Sequence, residues 1–124
     1  MATMRNEDYL EAIDAISKHN DKARVKDISA ELGIGMPSVT EMLQKLHNSG
    51  YILYERYRGV RLTTKGKRIA EETRRKHVML RKFLLSLGVS EKTADEDACR
   101  MEHILDKETI VRLTEFVGKR GIRQ

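Results

Sequence analysis

Between positions 99 and 103 the chain reads Cys-Arg-Met-Glu-His, three metal-binding side-chain types within five residues. On a helix, Cys99 lies one turn from both Glu102 and His103, so a thiolate, a carboxylate and an imidazole can converge on one point. The plainer interpretation of the same pentapeptide is a polar helix edge beside a small buried cysteine. Further upstream, His77 falls in register with Ile69, Thr73, Leu80, Leu84 and Leu87 at helical spacing, which turns its ring inward. A lone inward histidine is equally well explained as a satisfied core residue. Asp8 and Glu11, three residues apart and flanking Leu10, can also turn inward from an N-terminal helix. Asp8, Glu11, His77, Cys99, Glu102 and His103 are therefore the candidate ligands of a divalent cation, with oxygen, nitrogen and sulfur all represented. No spare general base stands beside them, which weighs against a metalloenzyme using the same ligands.

Helices must carry these residues. Apolar periodicity predicts helices over residues 6–18 and 64–87, and start and stop signals predict others over 25–32, 37–48, 91–105 and 107–117. Pro37 suits the start of the third, Gly33 the end of the second and Gly88 the end of the fourth. Ser90 and Asp106 are the cap candidates for the last two. Between them, Tyr51 to Leu62 is rich in β-branched and aromatic residues, with a polar stretch from Arg56 to Gly59, and predicts a two-stranded hairpin. The chain has 124 residues, 40% hydrophobic and 35% charged, which suits one small, mainly helical protein. No apolar run reaches the ~18–20 residues of a membrane span. The single cysteine excludes an internal disulfide scaffold. Residues 1–5 lead straight into acidic residues without an apolar leader, so a cytoplasmic location is expected.

The positive charge is unevenly spread. Residues 1–20 carry a net −2, residues 21–80 a net +6 and residues 81–124 a net +1, which is the footprint of a polyanion-facing middle stretch or of a solvated basic face. The order Val25 to Leu46 favours DNA, the alternative being an ordinary helical hairpin used for packing. Ile28, Leu32, Ile34, Val39 and Met42 supply the buried positions of a helix-turn-helix, Ser29 is small where two helices cross, and Gly33 suits the turn. The second helix then presents Met36, Pro37, Ser38, Thr40, Glu41, Gln44 and Lys45. The hairpin that follows, with Arg56, Tyr57 and Arg58 at its tip, has the character of a wing lying along a phosphate backbone. Seven apolar side chains in the tail, Ile104, Leu105, Ile110, Val111, Leu113, Phe116 and Val117, suggest a dimer interface, the alternative being packing on the long helix.

Over essentially its whole length the chain resembles the DtxR/MntR family of metal-dependent transcriptional repressors. The resemblance is carried by Glu7-Asp8-Tyr9-Leu10-Glu11, Pro37-Ser38-Val39-Thr40, Tyr54-Glu55-Arg56-Tyr57-Arg58-Gly59, Leu62-Thr63-Thr64-Lys65-Gly66 and the Cys-x-x-Glu-His element. It implies a mainly α protein, with a winged helix-turn-helix DNA-binding lobe over residues 1–63 and a helical metal-binding and dimerisation lobe over residues 64–124. It implies Mn²⁺ or Fe²⁺ as cofactor, one or two per subunit, and a homodimer on double-stranded DNA with an inverted-repeat operator. Asp8, Glu11 and His77 resemble the manganese branch, and Glu102 and His103 match both branches. Cys99 resembles the iron branch, where the sulfur or a nearby backbone carbonyl can ligate. Arg81 stands where either branch can offer a carboxylate near a second site. The chain ends at Gln124 without an SH3-like domain, so a short form is expected. Two alternatives stay open at this point: a winged-helix regulator answering to another signal, and a metalloenzyme.

Overall fold

The computed structural model describes residues 6–20, 22–55 and 57–119, and Arg56 lies outside them. The chain forms two compact units, Met1–Glu72 and Thr73–Gln124. In order, the elements are α1 (Asn6–His19), α2 (Val25–Leu32), α3 (Met36–Asn48), β1 (Ile52–Glu55), β2 (Gly59–Leu62), α4 (Thr64–Ser86), α5 (Glu91–Ile104) and α6 (Lys107–Lys119). The element types match the sequence pattern, and every helix end falls within two residues of the expected one.

The first unit is a winged helix-turn-helix. α1 starts with Glu7 and Asp8 and ends with Lys18 and His19, charges that suit the helix dipole at each end. It buries Leu10 and Ile13 completely against Ile28 of α2, Val39, Leu43 and Leu46 of α3, and Ile52 and Val60 of the hairpin. The turn between α2 and α3 depends on Gly33, whose φ of 67° places it in the left-handed region that favours glycine. There the Gly33 amide donates to the Ser29 carbonyl at 2.9 Å, and the Ser29 hydroxyl donates to the carbonyl of Ile34. Ser29 thus acts by tying the turn as well as by being small.

β1 and β2 pair antiparallel, with Ile52 opposite Leu62 and Glu55 opposite Gly59. A bridge to Ala23 extends the ladder, the Val60 amide donating to the Ala23 carbonyl at 2.8 Å. The hairpin is held on α3 by the Tyr54 amide, which donates to Nδ1 of His47 at 3.1 Å. It is held at its other end by Thr63, whose hydroxyl donates to the Gly50 carbonyl at 2.7 Å. Gly66 lets the first turn of α4 come so close that any Cβ there would run into the carbonyl of Tyr51.

The second unit comprises the rest of α4 with α5 and α6. Its core is Met79, Leu80, Leu84, Ala94, Ala98 and Val117, with Phe83 and Phe116 meeting edge to face at 6.1 Å. α4 ends in a double turn: the Gly88 amide donates to the Leu85 carbonyl and the Val89 amide to the Leu84 carbonyl. This termination comes at Ser86, one residue before the expected end, and Leu87 leaves the apolar stripe for solvent at 65% exposure. Ser90 caps α5, its hydroxyl accepting from the Thr93 amide. The apolar tail divides in a way the sequence did not anticipate. Val117 is buried in the unit's own core and Leu105, Ile110 and Leu113 lean on it, whereas Ile104, Val111 and Phe116 stay exposed. No helix among the described residues is long and apolar enough to cross a membrane.

Candidate metal centre and DNA-binding surface

α4 and α5 bring three of the expected ligands together within the second unit. His77 Nδ1 stands 3.4 Å from Oε2 of Glu102, and Nε2 of His103 stands 3.5 Å from its Oε1. Glu102 is 3% exposed, yet neither of its oxygens makes a hydrogen bond among the described residues. A buried carboxylate without hydrogen bonds is costly in a folded protein, because it has given up water without gaining donors. Such a group between two imidazoles fits a divalent cation: the cation supplies the missing charge, and each imidazole has a ring nitrogen beside a carboxylate oxygen. The donor set of one carboxylate and two imidazoles suits Mn²⁺, Fe²⁺ and Zn²⁺ alike.

Two further residues belong to this cluster. Asp95, two turns before Glu102 on α5, places Oδ1 at 3.4 Å from Nε2 of His77. The Nε of Arg81, one turn after His77 on α4, lies 2.8 Å from the same oxygen. Asp95 was missed in the sequence, and Arg81 was noticed only as a departure from the family pattern. The signal was present in both cases, since residues four and seven apart on a helix share a face.

Three expected ligands remain. Cys99 is on α5, one turn before Glu102, and is exposed, which overturns the alternative of a small buried core cysteine. Asp8 and Glu11 stand one turn apart on α1, in the first unit, both partly buried. Between them in sequence, Tyr9 is 3% exposed, and burial pushes its phenol above the ordinary tyrosine range.

The candidate DNA-binding residues form one side of α3. Met36, Pro37, Ser38, Thr40, Glu41, Gln44 and Lys45 are all exposed, while Val39, Leu43 and Leu46 face the core. Leu43 carries more of that core than Met42, the residue the sequence pattern suggested, because it is fully buried and Met42 only partly. Gly35 has no side chain with which to cap α3, and Pro37 stands in its first turn, so the helix start is left open to solvent or an anion. At the hairpin tip, Tyr57 has a φ of 72° and is 88% exposed. A left-handed tyrosine is uncommon, and such strain persists where the surrounding turn enforces it. Here the Arg58 amide donates to the Glu55 carbonyl at 3.1 Å and closes that turn. The Arg58 guanidinium is well exposed and only loosely paired with Glu55 at 3.7 Å.

Comparison with known proteins divides the chain in a similar manner. Residues 1–60 match the family model described as the iron dependent repressor N-terminal DNA binding domain. Residues 63–121 match the iron dependent repressor metal binding and dimerisation domain. The transcriptional regulator MntR of Escherichia coli O6:H1 is 38% identical over 117 residues, 94% of this chain and 76% of that protein. Among solved structures, IdeR of T. acidophilum superposes with a TM-score of 0.83 at 28% identity, covering 95% of this chain and 56% of that one. The manganese regulator SloR gives a TM-score of 0.83 at 30% identity, covering 94% of this chain and 55% of that one.

Proposed function

The chain belongs to the DtxR/MntR family of metal-dependent transcriptional repressors, and from that premise we propose which of its residues bind metal and which bind DNA. As a member, it is a metal-dependent repressor of metal-homeostasis genes that takes Mn²⁺ or Fe²⁺. The observation that carries the proposal is the buried carboxylate of Glu102, without a hydrogen bond among the described residues and flanked by the ring nitrogens of His77 and His103. These three are the primary ligands of the proposed set. Cys99 joins them through its sulfur or through a carbonyl nearby, and Asp8 and Glu11 complete the set from α1. A bound divalent cation neutralises the carboxylates and lets them share one centre. Capture of Asp8 and Glu11 makes metal occupancy felt in the DNA-binding half, which is what a ligand must do to shift one conformational population over another. Moving such an equilibrium from mostly incompetent to mostly competent needs about 5 kcal/mol of differential binding, within reach of a metal–protein interaction.

The proposed DNA contacts are Met36, Pro37, Ser38, Thr40, Glu41, Gln44 and Lys45 on α3, with Arg56, Tyr57 and Arg58 on the wing. Exposure of the α3 residues, and of Tyr57 and Arg58 at the wing tip, supports them. The protein acts in the cytoplasm as a homodimer. A two-fold pair of recognition helices reads an inverted repeat with half-sites about 34 Å, or a multiple of it, apart. Exposed Ile104, Val111 and Phe116 support pairing of second units. The centre is regulatory and not catalytic, and metal binding without hydrolytic turnover separates the two.

The test is DNA affinity at fixed ionic strength in chelator, Mn²⁺, Fe²⁺ and Zn²⁺ under anaerobic conditions. At least a roughly hundredfold tightening by metal is expected. Loss of the tightening in Glu102→Ala and His103→Ala is also expected. Equal affinity in chelator and in saturating Mn²⁺ or Fe²⁺ overturns the proposal.

A further inference from the structure

Both nitrogens of the His77 ring face carboxylates, but the two carboxylates differ in their surroundings. Nδ1 faces Glu102, which is buried and makes no hydrogen bond among the described residues, whereas Nε2 faces Asp95, which is half exposed and already paired with Arg81 at 2.8 Å. One side of the ring is therefore prepared for a cation, and the other side already has one. We infer that Arg81 is a resident cation that holds Asp95 against Nε2 of His77, so that the imidazole presents Nδ1 alone to metal and no second ion binds on its Nε2 side. The inference rests on the metal centre proposed above.

The physical argument has three parts. A neutral imidazole carries one N–H and one lone pair, so with a cation seated on the Glu102 side and taking the Nδ1 lone pair, the ring proton belongs on Nε2, where Asp95 accepts it. The oxygen of Asp95 would turn away into solvent unless something fixed it. The Nε of Arg81 does so from within α4 itself, four residues from the ring it serves, and its guanidinium is more buried than its partner. Finally, an arginine keeps its charge at every physiological pH. A divalent ion arriving at Nε2 would meet that fixed charge and would have to take Asp95 from it. Arg81 and Asp95 are thus positioning residues of the metal centre and at the same time set its capacity.

The inference is tested by equilibrium binding of Mn²⁺ to the full chain, reading both ions bound per protomer and their affinity. In Asp95→Asn the affinity is expected to fall about 10- to 100-fold with the number of ions unchanged. The charge exchange Arg81→Asp with Asp95→Arg restores an ion pair between α4 and α5 without restoring a carboxylate on α5 beside the ring. Its affinity is expected to stay low, which a purely structural brace would not predict. In Arg81→Glu, two carboxylates meet at Nε2, and roughly one additional ion per protomer is expected. If Asp95→Asn fails to fold, Arg81→Lys keeps the charge, loses the planar fork, and is expected to weaken binding too. Wild-type affinity in the fold-competent Asp95→Asn or Arg81→Lys variant, recovery in the charge exchange, or an unchanged ion count in Arg81→Glu overturns the inference. Failure of the metal centre itself has a different signature: Glu102→Ala would then bind Mn²⁺ as well as the wild type.

Discussion

The two units treat their interiors in opposite ways. In the first, side chains from α1, α2, α3 and the hairpin close an apolar core, and the polar groups near it find partners: Ser29 with Ile34, His47 with Tyr54, Thr63 with Gly50. In the second, a smaller aliphatic core coexists with Glu102, a buried carboxylate that makes no hydrogen bond among the described residues, and with an Arg81–Asp95–His77 chain beside it. The first unit is folded around apolar contacts, and its polar groups are paired within it. The second is folded around a charge distribution that a cation improves. A DNA-reading surface needs a rigid scaffold, while a sensor needs a site whose energy changes greatly on binding, and the chain separates the two requirements.

The largest expected effect breaks the self-sufficient side of this comparison. Leu43→Ala removes a fully buried side chain between α3 and the rest of the first core, and should cost about 2–5 kcal/mol. Denaturant melts in chelator and in saturating Mn²⁺ should show a similar loss, because the damage lies in packing. A loss rescued fully by metal would mean that the first unit also depends on the ion.

Glu102→Gln probes the other side. Removing the carboxylate while keeping the shape should raise stability in chelator by about 1–3 kcal/mol, as an unsatisfied buried group is replaced by a less demanding one. The wild type should gain about 2.7 kcal/mol from metal at a hundred times its Kd, and the variant little or none. The crossing of the two stability orders with added metal is the observable. If the variant were less stable in chelator, Glu102 would be serving the fold, and the contrast between the units would weaken.

The smallest effect sharpens the role of the exposed wing. Arg58→Ala should leave stability unchanged, since its contact with Glu55 is exposed and long. It should weaken binding to all DNA sequences alike and lower the salt slope by about one, as loss of a single phosphate contact does. Relaxed preference at one base pair would instead make the wing a reader of bases.

The local grammar of this protein was legible in its residues. Apolar spacing at three and four marked α1 and α4, and Gly33, Pro37, Gly88 and Ser90 marked where several helices begin or end. The polar Arg56–Gly59 stretch marked the hairpin tip. Glu102 and His103 were recognisable as metal-binding types because their spacing on one helix is a property of the helix itself. Tertiary structure decided what spacing cannot: that the Glu102 oxygens lie buried between imidazoles from α4 and α5, that Asp95 turns towards His77, and that Arg81 pairs with it. It decided that Cys99 is exposed, that Leu43 outranks Met42, and that Val117 turns inward while Phe116 does not. Periodicity says which residues share a face of a helix, but burial depends on which faces meet. That is a contest among non-local contacts, in which a shift of one residue in helix register changes the side chains that are enclosed.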